Sequence, residues 1–365
     1  MRFGAASADS VRRWLACAAD RDWQSFCDLT QSSRLAALVH YILQDEALPA
    51  PWLATLRAAR LANQLRTIII LGELGGLLRV FEAHGLSAIV LKGAALAETV
   101  YPRPDLRPLG DVDLLVHRSD LKRLQRALLE NGYRPLAIAT HRGMQEAFEN
   151  EMVFRKPGRV VIDIDVHWSL FDSPYYQSMI SMDWFWESSR EALVGGASTR
   201  VLGIEAEIIH LCGHLCLHHQ GTERFWLHDI AEVVDANKDR INWAKLVERT
   251  RTFELILPVR DTLRRVASLW GVAIPTSVLT ELEASEPSFQ EKRVHAWLTE
   301  ARRPASKRLW ADVRSLPNWS LRLRFLSTNL IPSREYMRRR YAIRNSALLP
   351  FYYPYRWYRG IRGLE

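Results

Sequence analysis

Cysteine is scarce: four residues in a chain of 365 cannot make a disulfide framework, and Cys212 and Cys216 lie among histidines, so reduced thiols are expected. Long apolar runs are also missing. The best candidate, Thr67 to Leu78, is interrupted by Gly72 and Glu73 and falls short of the roughly 18 residues a membrane span needs. Met1 to Asp9 show no signal-type apolar stretch. A secreted disulfide scaffold and a helical integral membrane protein are therefore not expected, and a cytoplasmic location is. With 48% hydrophobic and 25% charged residues, the composition fits a globular protein and excludes disorder, collagen or coiled coil as descriptions of the whole chain.

Charge is plentiful but unevenly placed. The net charge of +8 comes from 49 basic and 41 acidic residues. Residues 301–365 hold 15 basic and 3 acidic residues, which leaves 34 and 38 for the first 300. The body is thus mildly acidic at −4, and the tail carries +12 together with 11 aromatic residues, from Trp310 to Tyr358.

Apolar residues recur at three- and four-residue spacing from Ser10 to Leu48 and from Trp52 to His84, which predicts amphipathic helices separated by Pro49 and Pro51. Leu86 to Leu91 reads as a short buried strand, followed by an Ala-rich helix from Lys92-Gly93 to about Val100 and a Pro- and Arg-rich loop, Tyr101 to Gly110. Asp111 to Val116 is a second strand, and Ser119 is expected to cap a helix running to Glu130. Glu151 to Arg155 and Arg159 to Trp168 flank Lys156-Pro157-Gly158, the mark of a hairpin. Helical periodicity returns from Ile204 to about Glu300, with breaks at Gly221 and near Asn237.

Strand alternation gives the acidic residues their significance. Asp111 and Asp113 share a face while Val112 and Leu114 point into the core, and the strand Val160 to Trp168 places Asp163, Asp165 and His167 on one face in the same way. Side-by-side carboxylates repel unless a cation lies between them, and hard oxygen ligands suit a divalent ion such as Mg²⁺ or Mn²⁺. If the two strands are neighbours, Asp111, Asp113 and Asp165 form a metal cluster for two ions about 3.5–4 Å apart. The plainer alternative is an Asp-x-Asp at a strand end with no chemistry. Lys92-Gly93 closes a strand and opens a helix, so backbone N–H groups and a lysine are offered to an anion. Arg103 and Arg107 lie on the loop entering the aspartate strand, either as phosphate ligands or as solvated loop residues.

Leu91-Lys-Gly-Ala94, Arg107-Pro-Leu-Gly-Asp-Val-Asp-Leu-Leu-Val116 and Ile164-Asp-Val-His-Trp168 together resemble an uncharacterised bacterial nucleotidyltransferase family within the DNA polymerase β superfamily. Ile209 to His219 with Trp226-Leu-His-Asp-Ile230 is similar to that family's second region, and the resemblance spans about Leu86 to Val247. It implies two-metal transfer of a nucleoside monophosphate from a nucleoside triphosphate, with Asp111, Asp113 and Asp165 in the metal positions. The sequence departs from the superfamily pattern in two places. Gly93-Ala94 stands where Gly-Ser or Gly-Gly is usual, and the spacing from Gly93 to Asp111 is long. No acceptor is implied; RNA, peptide, sugar and protein stay open. So do a catalytically degenerate nucleotide- or RNA-binding module, and transfer of another group from an activated nucleotide to a peptide or sugar.

His210, His214 and His218 recur every four residues on one helix face, beside a Cys212–Cys216 stripe. Zinc, a cleft-facing imidazole at His214 or His218 with Asp229 as its partner, and plain helix packing are the three readings. Lys92, Gly93, Arg103, Arg107, His167, His214 and His218 are thus the candidate nucleotide-binding residues. The tail interleaves arginine with aromatics, as in Phe351 to Arg362. That pattern suits stacking on RNA, contact with an anionic membrane surface, or docking on the body. The expected architecture is α+β and mostly helical. It comprises a helical region over residues 1–85, a small mixed-sheet nucleotidyltransferase core over 86–203, a helical domain walling a cleft over 204–300, and the basic aromatic tail over 301–365.

Overall fold

The computed structural model describes residues 20–46, 49–136, 149–219, 221, 223–299, 313, 314, 316 and 319–362. Helices α1 (Asp20–Ser32), α2 (Ala36–Leu43) and α3 (Ala50–Ala83) come first, so the part of the expected first helix over residues 10–19 lies outside the described residues. Pro51 sits in the first turn of α3, where its missing N–H costs nothing. At the other end Gly85 adopts φ +59 and Leu86 N–H bonds back to the Phe81 carbonyl, which closes the helix. Leu86 is thereby spent on the helix end, and strand β1 begins later than expected, at Ala88–Leu91.

Next come α4 (Lys92–Thr99), β2 (Val112–Val116) and α5 (Leu121–Glu130). Asp111 stands just ahead of β2 rather than in it. Ser119 is not the cap of α5: it falls in a 3-10 turn, Arg118–Asp120, and Asp120 precedes the helix while binding Arg123 at 2.9 Å. Strands β3 (Arg134–Pro135), β4 (Glu151–Lys156) and β5 (Ile162–His167) follow, and β4 and β5 form the expected antiparallel hairpin. Short helices α6 (Pro174–Met179) and α7 (Asp183–Glu187) lead into a further hairpin, beyond the strands expected from the sequence. It pairs β6 (Arg190–Val194) with β7 (Ala197–Val201) across Gly195-Gly196, both at positive φ.

All seven strands form one mixed sheet in the order β3-β4-β5-β2-β1-β7-β6, with β2 parallel to β5, β1 parallel to β7, and β1 antiparallel to β2. Alternation splits its side chains between two cores. Val90, Val112, Leu114 and Ile164 join Leu74, Leu78 and Phe81 of α3 and Leu124 of α5 on one face. Ile89, Leu91 and Leu115 face the opposite way, into the core of the helical layer. That layer is α8 (Ile204–His219), α9 (Arg224–Ala236), α10 (Trp243–Thr252), α11 (Ile256–Trp270), α12 (Thr276–Ala284) and α13 (Phe289–Thr299). Asp113 and Asp165 therefore point toward the helical layer, whereas the apolar residues beside them point toward α3.

Beyond it lie α14 (Trp319–Leu330), α15 (Arg334–Arg340) and α16 (Leu349–Ile361), with a small core of their own around Met337, Ile343 and Leu349. No helix among the described residues is long and apolar enough to cross a membrane.

Two features of this packing generate tests. A Cβ at Gly75 would lie 1.9 Å from the Gly195 carbonyl oxygen, while Gly72 and Gly76 of the same helix have nothing within 4 Å. Gly75→Ala should cost about 1–3 kcal/mol by overpacking. Gly72→Ala and Gly76→Ala should instead stabilise by up to about 1 kcal/mol through helix propensity; urea denaturation measures all three.

Burial in α8 pushes the Glu207 carboxyl up to about 8, and its Oε1 has no hydrogen-bond partner among the described residues. The unfolded chain ionises near 4.5, so between that pH and about 8 the folded state alone keeps the proton and stability falls as pH rises. Glu207→Gln should therefore gain thermal stability over the wild type at pH 8 and little at pH 5.

Candidate active site

β2 and β5 run parallel with Asp113 directly beside Asp165 in register. Both carboxylates face a cavity of about 340 Å³ between the sheet and the helical layer. Asp111 lines the same cavity from the entry of β2, with Lys92 and Gly93 at the head of α4. The far wall consists of His214, His218 and His219 from α8 with Phe225 and Trp226 from α9. Asp113, Asp165 and His167 offer ligand atoms within 4.8 Å of one another, a spacing one metal ion can span.

The charges are closely interlocked. Lys92 Nζ donates to Asp113 Oδ1 at 2.7 Å, and His167 Nε2 reaches the same oxygen at 3.0 Å. The other His167 nitrogen, Nδ1, lies 3.0 Å from Glu151 Oε2. Burial alone would raise the Asp113 pKa; the Lys92 charge and the His167 hydrogen bond outweigh it and hold the carboxyl well below its usual range. Burial likewise opposes a charged His167, but its bonds to Asp113 and Glu151 prevail and push it up to about 9. With a carboxylate beside each nitrogen, His167 orients Asp113 from behind the cavity. Among the described residues no hydrogen bond or ion pair compensates Asp165. Burial, then the charges of Asp113 and Asp111, push it up to about 7. Surplus negative charge of this kind is what a divalent cation relieves.

Lys92 has a left-handed backbone, φ +46, which is unfavourable for a residue with a side chain. The turn carries the chain out of β1 and into α4 while Nζ reaches back to Asp113. At the next position a Cβ on Gly93 would lie 1.9 Å from Arg107 Nη1, so only glycine leaves room for that guanidinium. Arg107 is buried and held from α9, donating to Asp229 through Nη2 at 2.7 Å and Nε at 3.3 Å. The ring of Phe225 lies 4.8 Å from its Cζ. Tyr101 donates to Asp229 at 2.8 Å, so the 2.9 Å contact with His228 requires His228 Nδ1 to be the donor.

Of the sequence-derived candidates, the cavity brings together Lys92, Gly93, Arg107, Asp111, Asp113, Asp165, His214 and His218, while His167 supports it from behind. Arg103 is elsewhere: it binds Asp105 at 2.8 Å and is absent from the lining. Asp229 pairs with Arg107 and Tyr101, not with a histidine of α8. The histidine stripe divides, because His210 is buried edge-on to Phe171 while burial holds His214 and His218 in the neutral form. Among the described residues His210, His214, His218, Cys212 and Cys216 form no metal-spaced group. Glu151, Phe225 and Trp226 also line the cavity, which each reaches through tertiary packing that no local sequence pattern marks.

Residues 19–271 match the model of a family described as uncharacterised nucleotidyltransferase. No curated protein matches the chain. Among solved structures, the crystal structure of an antigenic nucleotidyltransferase-like protein from Paracoccidioides brasiliensis is similar, at 12% identity and a TM-score of 0.36. That match covers 62% of this chain and 97% of the other.

The Arg107–Asp229 pair joins the sheet side of the cavity to α9. Asp229→Ala strands a buried guanidinium and should cost about 3–5 kcal/mol of stability. Arg107→Met combined with Asp229→Leu should cost less than Asp229→Ala alone, because no charge is left unpaired; denaturant unfolding of the two variants makes the comparison.

Proposed function

The chain belongs to the family of uncharacterised nucleotidyltransferases, and from that premise we propose that it transfers a nucleoside monophosphate from a nucleoside triphosphate to an acceptor, with the DNA polymerase β-like two-metal mechanism. The observation that carries this reading is the Asp113–Asp165 register pair, set beside a helix start that offers backbone N–H groups and two cations. The donor set suits the metal: Asp111, Asp113 and Asp165 present hard oxygens to one cavity, and Asp165 has no cationic partner among the described residues. These three residues would hold Mg²⁺ or Mn²⁺, two ions in the full site. The ions would supply charge stabilisation at the attacking and leaving oxygens.

The chain's own groups divide the remaining work. The N–H groups of the first turn of α4, reached through Gly93, have no intrahelical partner and point where a phosphate would sit. Arg107, pinned by Asp229, adds a fixed guanidinium at that point. His167 and Glu151 keep the Asp113 carboxylate ionised and oriented. His214, His218 and Trp226 wall the opposite side, where neutral imidazoles and an aromatic ring would exclude water from the reacting groups. Ala94 brings no hydroxyl to the triphosphate, so backbone and guanidinium contacts take its place. The acceptor is an RNA, peptide, sugar or protein nucleophile.

One observation favours a second reading, a nucleotide-binding module without chemistry: Lys92 already neutralises Asp113 at 2.7 Å. Incubation with α-phosphate-labelled nucleoside triphosphates and Mg²⁺ or Mn²⁺ separates the two. Under the enzymatic reading, label is transferred and both Asp113→Asn and Asp165→Asn lower transfer by roughly a thousandfold, the scale of several kcal/mol of lost charge stabilisation. Nucleotide binding that ignores divalent metal, with no transfer, would favour the binding module.

A further inference from the structure

The C-terminal helices leave an apolar stripe that the cavity's chemistry does not use. On and just ahead of α16, Leu348, Phe351, Tyr355 and Tyr358 follow one another at spacings of three, four and three residues, so they occupy a single helix face. All four are exposed, Phe351 to 73%. The opposite face is occupied: Leu349, Tyr352 and Tyr353 pack with Met337, Tyr341 and Ile343. Tyr353 donates to the Pro332 carbonyl at 2.9 Å, and Trp357 Nε1 donates to the Leu330 carbonyl at 2.6 Å. The helix is therefore held by one side, with Phe351 and Tyr358 outward and Tyr355 at the border, edge-on to Tyr341 and Tyr352 at 6.0 Å. Trp319, Leu323 and Ile331, in and just after α14, are also exposed.

The charge around this stripe has one sign. Residues 319–362 contain ten arginines, no lysine and a single acidic residue, Glu335. An exposed apolar helix face with arginines beside it is the pattern of a helix lying in the plane of a membrane interface, its rings among the headgroups and its guanidinium groups on lipid phosphates. Single-stranded RNA would need ring faces open for bases to stack on. Here the guanidinium of Arg359 lies 5.9 Å from the Tyr355 ring centroid and that of Arg362 lies 5.4 Å from the Tyr358 centroid. Leu348 on the stripe, with Leu323 and Ile331 in and just after α14, adds exposed aliphatic surface that has no π-face for a base, which suits insertion among lipids better than stacking. The helix is 13 residues long and lies far short of a membrane span.

We infer that the outer face of α16 docks the protein peripherally on an anionic lipid surface, through Phe351, Tyr355 and Tyr358 and the arginines beside them. The site in the body would then work at that surface.

The test uses the full chain in co-sedimentation with vesicles of phosphatidylcholine alone, and with vesicles in which about a third of the lipid is phosphatidylglycerol. Binding to the anionic vesicles should exceed binding to the neutral ones at least about tenfold, falling with salt. Replacing Phe351→Ser and Tyr355→Ser together should lower it about tenfold or more, and Arg359→Gln about fivefold. Phe351 is exposed, whereas Tyr355 also meets Tyr341 and Tyr352 and Arg359 is half-buried, so circular dichroism confirms that each variant is folded; Phe351→Leu should retain binding. Absence of vesicle binding would overturn the inference. So would vesicle binding that survives Phe351→Ser with Tyr355→Ser, or a Phe351-dependent gel shift of single-stranded RNA without vesicle binding.

Discussion

Two carboxylates in register on adjacent central strands are the constraint around which this molecule is arranged. Asp113 and Asp165 are fixed there by the same ladder that buries Val112, Leu114 and Ile164 beneath α3, so their repulsion cannot be relieved by moving the backbone. The surroundings answer it locally. Lys92 accepts an unfavourable left-handed conformation and places its ammonium on Asp113. His167 is kept protonated between Asp113 and Glu151. Neither cation forms an ion pair with Asp165, so among the described residues that carboxylate has no salt-bridge partner in the cavity.

The second organising contact is the buried Arg107–Asp229 pair. It reaches from the loop ahead of β2 to α9, and through Gly93 it touches the start of α4. Sheet, α4 and helical wall are thus tied at a single guanidinium. Because that guanidinium is held by two bonds to Asp229 and capped by Phe225, it stays aimed at the cavity. This is the kind of fixed positive charge that nucleotide chemistry needs in place before substrate arrives.

Local pattern carried much of this into the sequence. Period-two alternation puts Asp111 and Asp113 on one strand's face and Asp163, Asp165 and His167 on a second strand's; Asp111 stands just ahead of β2 and Asp163 is held by Arg155 outside the cavity lining, while the Lys156-Pro157-Gly158 turn marks the hairpin that brings Glu151 opposite His167. Long-range pairings were less legible. Nothing in the spacing of Asp229 distinguishes a partner for Arg107, 122 residues away, from a partner for the nearby α8 histidines. The β6–β7 hairpin, with its Gly-Gly turn seated against Gly75, reads as ordinary loop until its parallel pairing with β1 is seen. Arg103 and Arg107 look alike on paper, and only packing leaves one half-exposed on the buried Asp105 and sends the other into the core.

Whether Asp113 and Asp165 form a cation site is tested most directly by titration of Mn²⁺ followed by electron paramagnetic resonance of the free ion. The wild-type protein should deplete the free signal saturably. Asp165→Asn should weaken binding at least about tenfold, the scale of one lost charged ligand, while Asp163→Asn, whose carboxylate is held by Arg155 at 2.7 Å, should leave it unchanged. Indistinguishable isotherms for the wild type and Asp165→Asn would contradict the central claim.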